Sequence, residues 1–166
     1  MDPAVLNFLY SLIQTLHNLA RWFVVVFAAL ALVRAYRGWL KKGEWVKLDD
    51  RAGVIFTSLM DTQILLGLIL YFLFSPWSQL VFKDFGQARA NPNALFFGLE
   101  HAVLMVLAVV AAHVGRALSR KAQQAAAKHR AAAIWFSLAV VLLLAGIPWP
   151  FLQYGRPWFR LLGIIF

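Results

Sequence analysis

Residues 5–33 read VLNFLYSLIQTLHNLARWFVVVFAALALV, and this stretch decides the fold because it is long, apolar and free of Gly and Pro. A helix that crosses a bilayer needs about 20 mostly apolar residues. Three more apolar stretches of about this length run over residues 53–74, 94–115 and 131–147. None of them alternates between apolar and polar residues as a half-buried strand does. The sequence therefore predicts an all-α fold, an integral membrane four-helix bundle over residues 1–147, followed by an aromatic interfacial tail over residues 148–166.

The composition of the 166 residues excludes several classes of protein. Hydrophobic residues make up 62% of the chain and charged residues 14%, whereas soluble domains average about 45–50% and about 25%. A water-soluble globule and a disordered chain are therefore excluded. Since the chain has no cysteine, disulfides, thiolate metal sites, iron–sulfur clusters and covalently attached c-type haem are excluded as well.

The basic residues indicate how the chain is oriented in the membrane. The formal net charge is +9, and most of the Lys and Arg residues lie in the loops over residues 34–51 and 116–130. Loops rich in Lys and Arg stay on the cytoplasmic side of a membrane, so both termini are expected on the non-cytoplasmic side. This arrangement accounts for the charge without nucleic acid, and the predicted partner of the basic loops is the anionic surface of the lipid bilayer.

One face of the first span is polar. Its polar side chains recur at i, i+3, i+4 and i+7 and therefore share one side of a helix: Gln14, His17, Asn18 and Arg21. The second and third spans also carry ionisable side chains, namely Asp61, Glu100, His101 and His113. Because an ionisable side chain in a bilayer is costly, such residues are expected to face the bundle interior and to mark a functional site.

His17 and His101 are predicted to lie at the same depth. His17 precedes the first basic loop by 17 residues, and His101 precedes the second by 15. At about 1.5 Å per residue, both lie roughly 22–25 Å from the cytoplasmic boundary, towards the outer side. Glu100 shares this level, and Arg21 reaches it because helical side chains lean towards the N-terminus.

Two facing histidines in a four-helix bundle are suited to holding haem. Neutral imidazole is an axial ligand of haem iron, and a bundle core can enclose the flat macrocycle. His17 and His101 would be the two ligands, and Arg21 would pair with a haem propionate or with Glu100. The alternative is a hydrogen-bonded His–Glu–Arg cluster that only holds the helices together.

His113 and Asp61 lie closer to the cytoplasmic side. His113 follows His101 by 12 residues, so it points to another face and lies about 18 Å deeper. A second haem at His113 would need His129, which is expected in a solvated loop, so one haem is favoured over two. Asp61 could relay protons, bind a quinone oxygen, accept a hydrogen bond from His113, or stay protonated against a neighbouring helix.

Four segments together resemble a known group of proteins: HNLARW at 17–22, DTQILLGL at 61–68, EH at 100–101 with HVGR at 113–116, and GIPWP at 146–150. The group consists of short bacterial four-helix membrane proteins labelled cytochrome-b-like, and more broadly the chain is similar to small four-helix b-type cytochromes. The resemblance implies a multi-pass protein of the bacterial cytoplasmic (inner) membrane that binds haem b. It also implies His17, His101 and His113 as the positions to suspect of binding the metal.

We therefore expect a b-type cytochrome-like protein that binds haem b between the first and third helices. Electrons would pass to or from quinone or a partner subunit. The alternative is a non-catalytic accessory subunit, pigment- or lipid-binding, of a larger respiratory or photosynthetic membrane complex. A transporter is disfavoured because neither an inverted repeat nor a broken helix is visible in the sequence.

Overall fold

A computed structural model describes residues 2–165. Its elements in chain order are α1 (Pro3–Leu40), α2 (Lys47–Ile69), α3 (Pro76–Lys83), α4 (Phe85–Ala90), α5 (Pro92–Leu95), α6 (His101–Lys121), α7 (Ala125–Gly146), β1 (Arg160–Leu161) and β2 (Ile164–Ile165). A π-helical turn, Leu70–Phe74, continues α2, and a second one, Phe96–Glu100, joins α5 to α6. β1 and β2 form a short antiparallel hairpin.

Four helices of the described chain are long and apolar enough to cross a membrane, namely Pro3–Leu40, Lys47–Phe74, Pro92–Lys121 and Ala125–Gly146. The predicted all-α four-helix architecture is confirmed in part, because the described chain is nearly all-α, with one short β-hairpin, and has the four long apolar helices expected of a multi-pass membrane protein. The helices extend beyond the predicted apolar stretches into polar sequence. Helix α1, for example, continues past residue 33 to Leu40. The side of the membrane that each end faces stays a prediction from the basic loops.

The four spans pack so that α1 and α6 occupy opposite corners of a square. α1 contacts α2 and α7, and α6 contacts the same two helices. Buried alanines line these contacts and let the backbones approach closely; they include Ala28, Ala31 and Ala35 of α1, Ala108, Ala111 and Ala112 of α6, and Ala132, Ala133 and Ala139 of α7. Phe56 and Phe136 complete this core edge to face, with ring centres 5.3 Å apart. The tightly packed half of the bundle lies towards the basic loops.

Two ion pairs join the ends of the spans next to those loops. Arg34 of α1 binds Asp49 at 2.7 Å, and Arg116 of α6 binds Asp50 at 2.9 Å. Asp49 is buried and also accepts a hydrogen bond from the backbone N–H of Val46, where α2 begins. Part of the basic charge near the loops is therefore neutralised within the protein itself.

His129 is buried, and the expectation of a solvated loop residue is wrong. Helix α7 begins at Ala125, so His129 lies inside its first turns rather than in the loop. The imidazole packs on the backbone of α1 at Gly38, where any side chain would collide with it, and its ring centre lies 4.8 Å from that of Trp45. His129 therefore helps to pack the helix ends and does not meet His113.

The tail contacts α1 through residues 157–162, and its position at the membrane interface stays a prediction. Arg21 donates a hydrogen bond to the carbonyl of Trp158 at 2.8 Å, and the Asn18 side chain accepts one from the backbone N–H of Arg160 at 3.2 Å. An irregular backbone in apolar surroundings must find such partners because unpaired N–H and C=O groups are costly. The polar stripe of α1 supplies them.

We expect Asp49→Asn to lower the free energy of unfolding by roughly 2–4 kcal/mol, because Arg34 would lose its anionic partner in a largely buried site. Thermal unfolding followed by circular dichroism in one fixed detergent measures the loss. Asp50→Asn is the matched control, since the Asp50 side chain is 47% exposed and its loss should cost less. Equal losses in the two variants would contradict the role given to Asp49.

Candidate cofactor site

His17 of α1 and His101 of α6 meet between opposite corners of the bundle. Their ring centres lie 6.3 Å apart, and the ring planes are inclined by 70°. An imidazole nitrogen lies about 2 Å from a metal ion that it ligates, so two imidazoles on opposite sides of one ion have ring centres about 6 Å apart. The separation of the two rings is therefore compatible with a metal ion held between them.

The imidazole of His101 is oriented by the end of α7. Its Nδ1 lies 2.7 Å from the carbonyl oxygen of Gly146 and can donate a hydrogen bond to it. A histidine that ligates a metal ordinarily donates its other ring N–H to a carbonyl or a carboxylate, which fixes the tautomer. Among the described residues Nε2 of His101 has no hydrogen-bond partner, so this nitrogen is free to ligate.

The imidazole of His17 is held by α2. The side-chain amide of Gln63 donates to the backbone carbonyl of His17 at 3.0 Å, and the same amide nitrogen lies 3.3 Å from Nε2 of the ring. Nδ1 of His17 is buried and has no partner among the described residues. A buried polar atom without a partner is costly, so this atom indicates that the site is built for something more than the protein's own contacts.

Gly67 of α2 leaves the space in which the His17 ring lies. A Cβ atom at this position would lie 3.2 Å from Cε1 of His17, which is closer than van der Waals contact. Any larger side chain at residue 67 would push the ring away from its present position. Gly67 borders the cavities described next.

Two cavities meet at the histidine pair, and both rings border each of them. The first has a volume of about 450 Å³ and is lined almost entirely by apolar side chains of α2 and α6, among them Met60, Ile64 and Val106. The second has a volume of about 390 Å³, lies next to the tail, and carries polar and basic side chains. Together they are in the size range of cofactor sites, and they combine an apolar compartment with a polar, basic one.

The two π-helical turns flank this site. One begins at Leu70, three residues after Gly67, and the other ends at Glu100, directly before His101. The hydroxyl of Tyr71 in the first turn donates to the carbonyl of Gly98 in the second at 2.7 Å. A π-helical turn inserts an extra residue into a helix and is frequent at functional sites because it re-aims the side chains that follow.

Glu100 does not join the cluster, and an ion pair with Arg21, one of the two pairings expected for Arg21, is absent from the described contacts. Neighbouring residues on a helix point about 100° apart, so His101 faces the interior while Glu100 is exposed. Arg21 is instead 8% exposed, bonds to the tail, and lies 5.0 Å from the centre of the Trp22 ring. Of the four residues expected to meet at the same depth, the structure therefore brings together His17, His101 and Arg21 but not Glu100.

Asp61 and His113 form a separate pair. Nε2 of His113 lies 2.7 Å from a carboxylate oxygen of Asp61, and the two side chains are 48% and 53% exposed. The pair joins α2 to α6 on the outside of the bundle, away from the cavity lined by His17 and His101. Among the described residues no group of three or more His, Asp or Glu side chains could hold a metal ion, so His113 has no such cluster to complete.

Three residues of the site were not assigned to it by the sequence. Gln63 shows a usable signal, because an amide in an apolar span needs a partner within the bundle. Arg156 and Arg160 line the second cavity, and they lie in an irregular segment where no helical period predicts the direction of a side chain.

Comparison of the chain with protein-family models, with curated proteins and with solved structures gives no significant match.

We expect Gly67→Leu to reduce binding of haem b strongly, because the new side chain would displace the His17 ring and occupy the space beside it. Titration of the purified apoprotein with haemin, followed by absorbance, measures the affinity. Leu65→Phe adds volume two residues away on the exposed side of the same helix and should leave the affinity unchanged. Unimpaired binding by Gly67→Leu would contradict the position assigned to the cofactor.

Proposed function

We propose that this protein is a b-type cytochrome-like membrane electron carrier that holds one haem b between α1 and α6. His17 and His101 would be the axial ligands. The observation that carries the proposal is the 6.3 Å separation of two oriented imidazoles at the meeting point of two cavities. When bound, haem b supplies a one-electron carrier within the outer half of the bundle.

The residues of the chain would tune this site in three ways. The carbonyl of Gly146 polarises the His101 imidazole through its hydrogen bond, which raises the basicity of the ligating nitrogen. Gln63 holds His17 in place. The apolar walls from α2 and α6 exclude water and lower the local dielectric constant, which sets the balance between the two charge states of the iron.

A single haem is the occupancy that the arrangement favours. A second one would need another pair of facing histidines, and the two that remain lie apart. His113 binds Asp61, and His129 is buried against Gly38 and Trp45 at the end of the bundle.

The exchange partner that we propose is a membrane-soluble quinone, bound at the Asp61–His113 pair. A half-exposed carboxyl–imidazole pair on a membrane-spanning surface is costly in lipid, and quinone oxygens would satisfy it. Met60 and Val109 line the apolar cavity. Met60 directly precedes Asp61 in the sequence, and Val109 lies one helical turn before His113. Because one haem takes one electron, the two electrons of a quinol would pass to two haem-loaded proteins in turn. Each electron leaves with one proton, which the pair can accept and then release to water before the second transfer.

The second candidate is a non-catalytic accessory subunit of a larger membrane complex. The observation that favours it is the same half-exposed pair, since a neighbouring subunit would also cover Asp61 and His113. In that case the cavities would bind a pigment or a lipid. Purification from the source membrane in a mild detergent distinguishes the two, because a carrier that works alone migrates at the mass of a monomer or dimer.

We expect His17→Ala and His101→Ala each to lose most of the haem. A pyridine haemochrome assay on protein purified from cells supplied with a haem precursor measures the content per chain. His113→Ala is the matched control and should keep the wild-type content, because it lies outside the cavity. Absence of haem from the wild-type protein, even after titration with haemin, would overturn the proposal, and so would full content in both cavity variants.

We expect Asp61→Asn to slow oxidation of a short-chain quinol by the haem-loaded protein about tenfold or more, because the proton acceptor is lost. Stopped-flow absorbance of the haem gives the rate. Glu100→Gln removes an exposed carboxylate that lines neither cavity and should leave both rate and haem content unchanged. An unchanged rate in Asp61→Asn would remove the pair from the quinone site.

A further inference from the structure

The cavity next to the tail carries three positive charges and no negative one. Arg21, Arg156 and Arg160 line it, and its lining residues include no Asp or Glu. The ion pairs of the described chain are Arg34–Asp49, His113–Asp61 and Arg116–Asp50. None of the three cavity arginines takes part in them.

The protein itself leaves these arginines incompletely bonded. Nε of Arg21 and Nε of Arg160 are both buried without a hydrogen-bond partner among the described residues. The partners that the two guanidinium groups do have are neutral, namely the carbonyl of Trp158 and the side-chain amide oxygen of Gln14. Since guanidinium stays charged in proteins, these are cations without an anionic partner among the described residues.

Arg156 shows the same lack of a counter-ion. Its guanidinium lies 4.4 Å from the centre of the Phe97 ring. Burial lowers the pKa of Arg156, Tyr10 opposes that shift, and the nearby Arg160 lowers the pKa further. No anionic side chain within residues 2–165 offsets the positive charge of Arg156, so an anion would bind to it favourably.

Three neighbouring cations set the chemistry of the ligand that the cavity would take. Cations without an anionic partner are unfavourable where solvent is largely excluded, and an opposite charge in good geometry offsets most of that cost. Two carboxylates would neutralise two of the three guanidinium groups and bond in the planar fork geometry that arginine favours. The same ligand must continue into the apolar cavity beyond the histidine pair.

From these charges we infer that the tail is a cationic clamp for a dicarboxylate tetrapyrrole, in which Arg156 and Arg160, together with Arg21 of α1, bind its two propionates. This inference rests on the proposed haem function and adds the orientation of the ligand. The propionate edge of the tetrapyrrole faces the tail, and its apolar edge faces the apolar cavity lined by α2 and α6. Residues 158–162 close the cavity because they hydrogen-bond to α1 at Thr15, Asn18 and Arg21.

The test compares two ligands that differ only at the carboxylates. Wild-type apoprotein in a neutral detergent is titrated with haemin and with haemin dimethyl ester, and absorbance gives both affinities. We expect the ester to bind at least tenfold more weakly. Because this arm uses the wild-type chain, it needs no variant to fold. Amide hydrogen exchange of residues 158–165 should slow when haemin binds and should slow less with the ester.

Substitutions of the tail arginines then show which positive charges bind the carboxylates. The double variant Arg156→Gln/Arg160→Gln should bind haemin and its ester with similar affinity, and Arg156→Lys/Arg160→Lys should restore part of the preference for haemin. Arg89→Gln, an exposed arginine of α4, should leave the preference unchanged. Rescue by lysine separates lost charge from lost folding.

The outcomes separate this inference from the proposed function. If haemin and its ester bind wild-type protein equally well, or if the glutamine variant keeps the full preference, the clamp is overturned while haem binding stands. If neither ligand binds the wild-type protein, both the clamp and the proposed function fail. If haemin and its ester bind equally well and protection of residues 158–165 instead appears when phosphatidylglycerol is added to the detergent, the arginines bind a lipid headgroup and the clamp is overturned.

Discussion

The constraint on which the structure depends is that a polar side chain inside a membrane bundle must bind another polar group. The first span meets this constraint with one stripe of polar residues. Asn18 and Arg21 satisfy the backbone of the tail, while His17 points between the helices towards His101. The stripe therefore does two things at once. It folds the tail onto the bundle, and it brings one imidazole to the cavity that the tail covers.

The two halves of the bundle follow from where the small and the polar residues lie. Buried alanines draw the four helices together near the basic loops, where ion pairs of Arg34 and Arg116 fix the helix ends. In the other half, Gly67 leaves room for the His17 ring, and the π-helical turns flank the two cavities. The tightly packed half thus supports the half that contains the cavities. A site needs such support if its ligands are to hold their geometry.

Much of this could be predicted by counting residues along helices. The equal depth of His17 and His101 follows from a constant rise per residue, and so does the separate level of His113. Other features could not be predicted this way. Counting residues places Glu100 at the depth of the cluster, but depth alone does not give the direction of a side chain. The π-helical turn just before His101 makes that direction still harder to predict. Arg156 lies in an irregular segment, whose path depends on tertiary hydrogen bonds to α1 rather than on any period in the sequence.

The central claim is that His17 and His101 ligate the same iron, and the spin state of the haem tests it most directly. Electron paramagnetic resonance of the oxidised, haem-loaded protein should show a six-coordinate low-spin iron, since two imidazoles are strong axial ligands. Replacing either histidine by alanine should convert the residual haem to a high-spin form. A high-spin wild-type spectrum, or a low-spin spectrum that persists in both variants, would contradict the account.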